Sequence, residues 1–204
     1  MRSLVVSNIM SLDGYVEGPG KNVMALPMDA FFDIENLERL RTADTLLLGA
    51  TTYMGLKGFW PAVAEDPSVS PAVALDPTVA DLHREIGVRN NEAHKVVVSD
   101  SLTEDDTAPW SETTTIVRRA DARKAVTDLK AGSGGAILTF GSRTVWNDLL
   151  AAGLVDDLYL MLGGAVVGGG TPAFDPDVRP SLALVEVKRR EGSDNLLLHY
   201  RVVR

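Results

Sequence analysis

The stretch AILTFGSRTVWNDLLAAG, residues 136–153, joins an apolar strand to a helix through a short turn. The apolar run ends at Gly141-Ser142, and helical periodicity then continues as far as Gly153, a typical residue after a helix C-terminus. The same order of strand, glycine and helix occurs at residues 45–53, TLLLGATTY. Short apolar strands that alternate with helices predict a mostly parallel sheet covered on both faces.

The rest of the chain follows the same alternation. Predicted strands cover residues 4–10, 45–48, 95–99, 114–117, 136–140, 158–162, 182–190 and 196–203. Predicted helices cover residues 29–41, 77–86, 121–131 and 144–152. Residues 56–77 contain four prolines and predict a surface insertion. The last two strands flank a Gly-Ser-Asp-Asn turn, which predicts an antiparallel hairpin.

Composition excludes several classes of protein. The 204 residues are 45% hydrophobic and 24% charged, so we expect one globular domain over residues 1–204. The absence of cysteine excludes disulfides, thiolate metal sites and a cysteine nucleophile. A net charge of −8 without a basic cluster argues against nucleic acid, and no apolar run is long enough to span a membrane. We therefore expect a soluble, cytoplasmic protein.

Ligands of such a sheet bind beyond the carboxyl ends of the strands, so those positions are the first candidates. Glycine allows close approach of a ligand, and the free amides at a helix start favour an anion. Two strand-to-helix junctions have this character and together suit a pyrophosphate, although hydroxyls there also serve as simple helix caps. Their residues are Gly49, Thr51 and Thr52 in the first junction and Gly141, Ser142, Arg143 and Thr144 in the second.

Other polar residues have less specific patterns. Ser99-Asp100 and Arg118-Arg119 follow two further strands, where they either contact an adenosine ribose phosphate or are simply solvated. Asp29 and Asp33 are four residues apart, which suits either proton chemistry on one helix face or the helix dipole. The three histidines are scattered without ligand spacing, so we expect surface or strand positions and no metal.

Taken in order, these motifs resemble the dihydrofolate reductase-like superfamily. They are most similar to its branch that contains the reductase domain of bacterial riboflavin biosynthesis, the RibD C-terminal domain. The resemblance covers nearly the whole chain, and its most specific parts are the last two fragments. The matching fragments are SLDGYV (11–16), LLGATTY (47–53), KVVVS (95–99), FGSR (140–143), GLVDDLYL (153–160) and GGGTPAF (168–174).

The resemblance implies a three-layer αβα fold with about eight strands, a mostly parallel sheet and an antiparallel C-terminal hairpin. It also implies that NADPH lies across the carboxyl edge, with the two junctions and Phe140 around its pyrophosphate and Ser99 near the adenosine ribose. The loop of residues 11–20, hereafter the first loop, would act as a mobile lid. The residues implied beside the nicotinamide are Ile9, Asp13, Gly14 and Val16.

The implied activity is an NADPH-dependent reductase that transfers hydride to a small pterin- or pyrimidine-like substrate. Examples are 5-amino-6-(5-phosphoribosylamino)uracil reductase and dihydrofolate reductase. The local motif matches the substrate-binding acid of dihydrofolate reductase to Asp29, whereas the spacing back from Gly49 matches it to Asp33. Ala50 stands where a basic residue usually contacts the 2′-phosphate, which leaves NADH as an alternative cofactor. Dihydrofolate reductase itself and a non-catalytic ligand-binding relative remain alternatives, and a homodimer is expected.

Overall fold

The computed structural model describes residues 1–203 and contains ten strands and six α-helices in that range. The strands are β1 Leu4–Met10, β2 Tyr15–Glu17, β3 Ala43–Gly49, β4 His94–Val98, β5 Thr114–Val117, β6 Ala136–Phe140, β7 Asp157–Leu162, β8 Thr171–Pro172, β9 Ser181–Arg189 and β10 Leu196–Val203. The helices are α1 Ala30–Thr42, α2 Ala50–Glu65, α3 Pro71–Leu75, α4 Ala80–Glu92, α5 Ala122–Ala131 and α6 Arg143–Ala151.

Eight of the strands form one sheet in the order β5-β4-β3-β6-β1-β7-β10-β9. The first six strands are parallel, and β10 and β9 are antiparallel additions at one edge. This arrangement confirms the predicted fold class and the terminal hairpin. It also places β6 directly between β3 and β1, so the carboxyl ends of β3 and β6 are neighbours.

Alternating side chains of the sheet build a core on each face. In β3, Leu47 packs with the cluster under α5 and α6, whereas Leu46 and Leu48 pack with the cluster under α1, α2 and α4. Trp146 and Tyr53 are the largest fully buried side chains of the two clusters. Because both faces are covered, the helices that follow β3 and β6 begin at fixed positions on the carboxyl edge.

The prediction of a surface insertion at residues 56–77 is wrong for the first half of that range, because α2 extends to Glu65 through two glycines and Pro61. An apolar stripe of Tyr53, Leu56 and Trp60 holds this helix on the core despite its weak helix formers. The remainder forms three short helical turns. The motif Asp-Pro-Ser/Thr-Val occurs twice there, and each aspartate accepts a hydrogen bond from the backbone two residues later.

Two other sequence-based predictions need correction. The helix expected at residues 77–86 is a short 3-10 turn followed by α4, which extends to Glu92. His83, expected at a surface or strand position, is a buried helical residue hydrogen-bonded between Ser70 Oγ and Asp33 Oδ2. A histidine that satisfies two polar groups in this way needs no metal and no solvent contact.

Lys95, near the start of β4, is fully buried and has no carboxylate partner within residues 1–203. Its Nζ donates to the Asn91 carbonyl oxygen at 2.7 Å and to Thr113 Oγ1 at 3.0 Å, and it lies 4.3 Å from the centre of the Trp110 ring. Burial lowers the pKa of Lys95 to about 8 from its ordinary 10.5.

The free energy of unfolding should therefore rise between pH 8 and pH 10.5. In that window the unfolded chain keeps the Lys95 proton and the folded chain releases it, so raising the pH favours the folded state by about 1–3 kcal/mol. Urea unfolding at several pH values measures this slope. Lys95→Met should remove the rise, and an equal rise in that variant would contradict the assignment.

Candidate active site

The two predicted junctions lie side by side and hold each other in place. Gly49 N–H at the end of β3 donates to Ser142 Oγ at 3.0 Å, and Ser142 N–H donates to Thr52 Oγ1 at 2.9 Å. Asn8 of β1 also supports the turn, because its Nδ2 donates to the Gly141 carbonyl oxygen at 3.1 Å. Two turns whose bonded residues are 93 and 90 positions apart in sequence thus exchange a reciprocal pair of hydrogen bonds.

The backbone of the second junction adopts an uncommon conformation. Gly141 and Ser142 have φ angles of +49° and +48°, in the left-handed region. A Cβ on Gly141 would lie 2.9 Å from Thr52 Oγ1, so only glycine fits between the junctions. Ser142 has a left-handed conformation that is disfavoured for serine, and its two hydrogen bonds to the first junction compensate for this strain.

Backbone amides at the starts of α2 and α6 are directed toward the carboxyl edge. Within residues 1–203, neither N-cap residue, Gly49 or Ser142, supplies a side-chain hydrogen bond to its helix. The first amides of both helices therefore remain available to a ligand, and both helix dipoles place partial positive charge there. Thr51 and Thr144 are exposed at the same ends. The arrangement suits a diphosphate that bridges the two helices.

Arg143 does not extend ahead of the helix in the way a phosphate ligand would. Its Nε donates to the Pro172 carbonyl oxygen and its Nη2 to Asp175 Oδ1, each at 2.5 Å. Thr52 also has a structural contact, since its Oγ1 accepts from Ser142. Phe140, at the end of β6, is half-buried against the core under α2. The backbone amides are thus the main polar groups of this site.

The residues expected beside the nicotinamide lie near the end of β1 and in the first loop. Ile9 is buried in a small core with Met161 and Leu197, and Val16 lies in β2, which pairs with β8. Gly14 has a φ of +87°, and its carbonyl oxygen accepts from Ala173 N–H at 2.9 Å. The first loop is therefore ordered by contacts with residues that follow β7.

The Asp13 carboxylate binds the glycine-rich loop of residues 163–170. It accepts hydrogen bonds from Val167 N–H at 3.1 Å and Gly168 N–H at 2.8 Å. The Ser11 hydroxyl and these amides hold the pKa of Asp13 below its usual value, so the carboxylate is ionised at neutral pH. Asp13 thus fixes the first loop to the glycine-rich loop of residues 163–170.

The ends of β4 and β5 place arginines next to the acidic Asp100. Ser99 is buried, and its Oγ accepts from the amides of Ser101 and Leu102 at 3.2 and 3.0 Å, so it shapes the turn. Asp100 accepts from Arg119 N–H at 2.9 Å and lies 3.6 Å from the Arg119 guanidinium. Arg118 and Arg119 are exposed. The carboxylate is already paired, and cationic groups dominate this corner.

The two candidate acids do not share a helix face. Asp29 precedes α1 as its N-cap, where it accepts from Phe32 N–H at 3.0 Å and from Ser193 Oγ at 2.5 Å. Asp33 is directed to α4, where it contacts His83 at 3.1 Å. Asp29 therefore lies at the carboxyl edge beside the hairpin turn, and Asp33 lies on the flank.

Sequence analysis missed the polar residues that support this site. Asn8 interrupts the apolar strand LVVSNIM, which was the one available signal for a buried polar role. Asn147 and Asp175 contact Arg143 of the second junction, and no local pattern indicates the pairing with Asp175. Two surface depressions, of about 440 and 450 Å³, lie at the opposite, amino edge around Arg2 and Ser3. They contain none of the junction residues and are open to solvent.

No helix within residues 1–203 has the length and apolar character of a membrane span. The sheet order and its structural match to a dihydrofolate reductase define a dihydrofolate reductase-like fold. Residues 2–197 match the family described as the RibD C-terminal domain. The chain belongs to that family.

Solved structures support this fold at low sequence identity. A protein assigned to riboflavin biosynthesis from Shewanella sp. PV-4 is 18% identical with a TM-score of 0.67, and the alignment covers 99% of each chain. Dihydrofolate reductase from Enterococcus faecalis, solved with NADP(H), is 14% identical with a TM-score of 0.56, over 99% of this chain and 97% of that chain.

A bifunctional relative is longer than this chain. The Thermotoga maritima diaminohydroxyphosphoribosylaminopyrimidine deaminase/5-amino-6-(5-phosphoribosylamino)uracil reductase is 15% identical with a TM-score of 0.65. The match covers 99% of this chain and 57% of that one, so the chain spans little more than half of it. A search of curated protein sequences finds no match.

Proposed function

We propose that the chain is an NADPH-dependent reductase that transfers hydride to a pyrimidine-like heterocycle. The observation that carries this proposal is the reciprocal hydrogen bonding of the two junctions, which aims two helix N-termini at one place. Family membership supports a reductase, and the name of the Thermotoga relative includes a uracil reductase. The structural similarity to an NADP(H)-bound dihydrofolate reductase supports the cofactor class.

The residues of the site fit a dinucleotide. Gly141 leaves no Cβ in the space between the junctions, and the first amides of α2 and α6 supply donors for a diphosphate. Bound NADPH supplies the hydride from its nicotinamide ring. In the proposed site Ile9 and Gly14 would border that ring, and the clamped first loop would exclude water from the substrate side.

The proposal favours NADPH over NADH. Asp100 lies beside Arg119, and this cation offsets part of the repulsion between the carboxylate and a 2′-phosphate. Arg118 beside it provides the positive charge that Ala50 of α2 does not. Arg118→Gln should raise the KM for NADPH by about tenfold and leave that for NADH unchanged. Equal effects on both cofactors would contradict this preference.

Asp29 is the better placed of the two candidate acids. It lies at the carboxyl edge, whereas Asp33 is paired with His83 on the flank. We propose that Asp29 holds a polar edge of the substrate or relays a proton to it. Asp29→Asn should lower the reductase rate by about 100-fold, within the range of general acid–base catalysis. Asp33→Asn is the matched control and should retain the rate.

Absorbance assays of NADPH oxidation test the proposed reaction. We expect turnover with 5-amino-6-(5-phosphoribosylamino)uracil and none with dihydrofolate. Turnover with dihydrofolate alone would identify a dihydrofolate reductase instead. Saturable NADPH binding without turnover on either compound would favour a non-catalytic relative, and no binding below about millimolar concentration would remove the cofactor proposal altogether.

We also propose that the chain forms a homodimer through one face of the terminal hairpin. This apolar face consists of Leu184 and Val187 of β9 and Leu196, Leu198 and Tyr200 of β10. Leu198 pairs with Val187 and Tyr200 with Leu184, whereas Leu196 pairs with Arg189 at the end of this face. Leu184 and Val187 are 55% and 52% exposed. A mostly apolar exposed sheet face, bordered by Arg189 at one end, is well suited to packing against a second copy around a two-fold axis.

Light scattering of wild type and two hairpin variants tests the dimer. Wild type should have twice the chain mass of 21.9 kDa at micromolar concentration. Leu184→Glu should give a monomer, because a charge in the apolar face opposes burial. Ala183→Glu is the matched control, since its side chain lies on the opposite face, across from Arg201. A monomeric wild type would contradict the proposal.

A further inference from the structure

Arg143 and Asn147 hold one segment of the chain against the side of α6. This segment, residues 171–175, is called the anchor segment below. The Arg143 guanidinium bonds the Pro172 carbonyl oxygen and Asp175 Oδ1, each at 2.5 Å. Asn147, one turn later, accepts from Asp175 N–H at 2.8 Å. Because residues four apart share a helix face, both side chains lie along the helix and not ahead of its N-terminus.

The anchor segment in turn supports the first loop. Ala173 N–H donates to the Gly14 carbonyl oxygen at 2.9 Å, and strand β2 of the first loop pairs with β8 of the anchor segment. The Thr171 hydroxyl donates to the Glu17 carboxylate at 2.7 Å. Contacts therefore run without interruption from the first turn of α6 to the first loop.

The charges around Arg143 argue against direct phosphate binding by its side chain. Its ion pair with Asp175 is largely buried on the arginine side, with 20% of the Arg143 side chain exposed. A phosphate placed on this guanidinium would also face the Asp175 carboxylate, and like charges at that distance repel. The amides of α6 can bind the same phosphate without this cost.

We propose that Arg143 is a positioning residue whose ion pair with Asp175 holds the first loop in place through the anchor segment. This inference rests on the proposed reductase function for its effect on catalysis. According to this proposal, the backbone amides of the junctions bind the diphosphate. The Arg143 side chain couples the N-terminal end of α6 to the first loop, which covers the substrate side.

The variants Arg143→Gln, Asp175→Asn and the double substitution test this coupling. Each single variant should increase amide hydrogen exchange in residues 11–18 by about tenfold and lower kcat by about tenfold. The Kd for NADPH should stay within about threefold of wild type. The double variant should be no worse than either single one, because the same interaction is lost in all three.

Arg123→Gln is the matched control. It breaks an exposed Arg–Asp pair between α5 and Asp148 of α6, which does not involve the anchor segment. This variant should leave exchange in residues 11–18 unchanged.

Two results would overturn the inference. The first is unchanged exchange in residues 11–18 in Arg143→Gln and Asp175→Asn. The second is weaker NADPH binding in Arg143→Gln together with tighter binding in Asp175→Asn, as expected for a direct phosphate ligand. Failure of wild type to bind NADPH would contradict the proposed function alone, and hydrogen exchange would still decide whether the ion pair holds the first loop.

Discussion

Thr51→Glu is expected to weaken NADPH binding by about 30-fold or more without lowering the stability of the protein. Thr51 is exposed in the first turn of α2. A carboxylate about 5 Å from a diphosphate costs about 3 kcal/mol at an effective dielectric constant near 20, and solvent screening reduces this to about 2 kcal/mol. The same carboxylate stabilises a helix N-terminus by about 0.3–1 kcal/mol.

Opposite effects on affinity and stability distinguish a charge effect from damage to the fold. Thr144→Glu at the start of α6 should behave in the same way, because the proposal places the diphosphate between both helices. Thr51→Gln and Thr144→Gln are the matched neutral controls and should bind NADPH within about threefold of wild type. Affinity is measured by fluorescence titration, and stability by urea unfolding. Unchanged affinity in both glutamate variants would contradict the proposed diphosphate site.

Lys130→Met should lower the free energy of unfolding by about 3 kcal/mol, which corresponds to about 6–12 °C in Tm. Lys130, on α5, is 5% exposed and forms an ion pair with Asp156. Its Nζ also donates to the Leu154 carbonyl oxygen at 2.7 Å, and Asp156 accepts from Leu4 N–H at 2.8 Å. The pair therefore joins α5 to the starts of β1 and β7, and the substitution removes the ammonium group that bonds both the Leu154 carbonyl oxygen and the Asp156 carboxylate.

The same helix provides the matched control for this prediction. Lys124 pairs with Asp128, and their side chains are 79% and 63% exposed. Because exposed pairs contribute little, Lys124→Met should change the free energy of unfolding by less than about 0.5 kcal/mol. Thermal and urea unfolding of both variants provide the comparison. Similar small losses in the two variants would show that burial of the Lys130 pair does not matter.

Local patterns in the sequence were sufficient for the eight strands of the main sheet, the hairpin and the two junctions, but not for the short strands β2 and β8. A glycine between an apolar run and a helix is a local signal, so Gly49 and Gly141 were identified directly. That the two junctions touch depends on the insertion of β6 between β3 and β1. Sheet order is set by packing of distant segments, and no local pattern specifies it.

The roles of polar side chains were the least predictable part. Arg143 in a junction motif suggested a phosphate ligand, but Asp175, which is 32 residues away, binds its guanidinium. Likewise, Asp29 and Asp33 have helical spacing, but the helix begins after Asp29, and the two carboxylates contact different partners. Side-chain partners depend on tertiary neighbours, and sequence spacing does not specify those neighbours.

The region rich in proline shows how tertiary packing overrides local propensity. Four prolines in residues 56–77 suggested a surface insertion, but α2 continues to Glu65 because its apolar stripe is buried against the sheet. The spacing of Tyr53, Leu56 and Trp60, three and four residues apart, was the available signal for that helix. Burial of these side chains outweighs the cost of the helix breakers.

Amide-resolved NMR of the ¹⁵N-labelled protein during NADPH titration tests the central claim most directly. If the junctions hold the diphosphate, the largest saturable shifts will come from the first-turn amides of α2 and α6, Thr51 and Thr144 among them. Saturable shifts confined to the amino edge around Arg2 and Ser3, with the junction amides unchanged, would contradict the account.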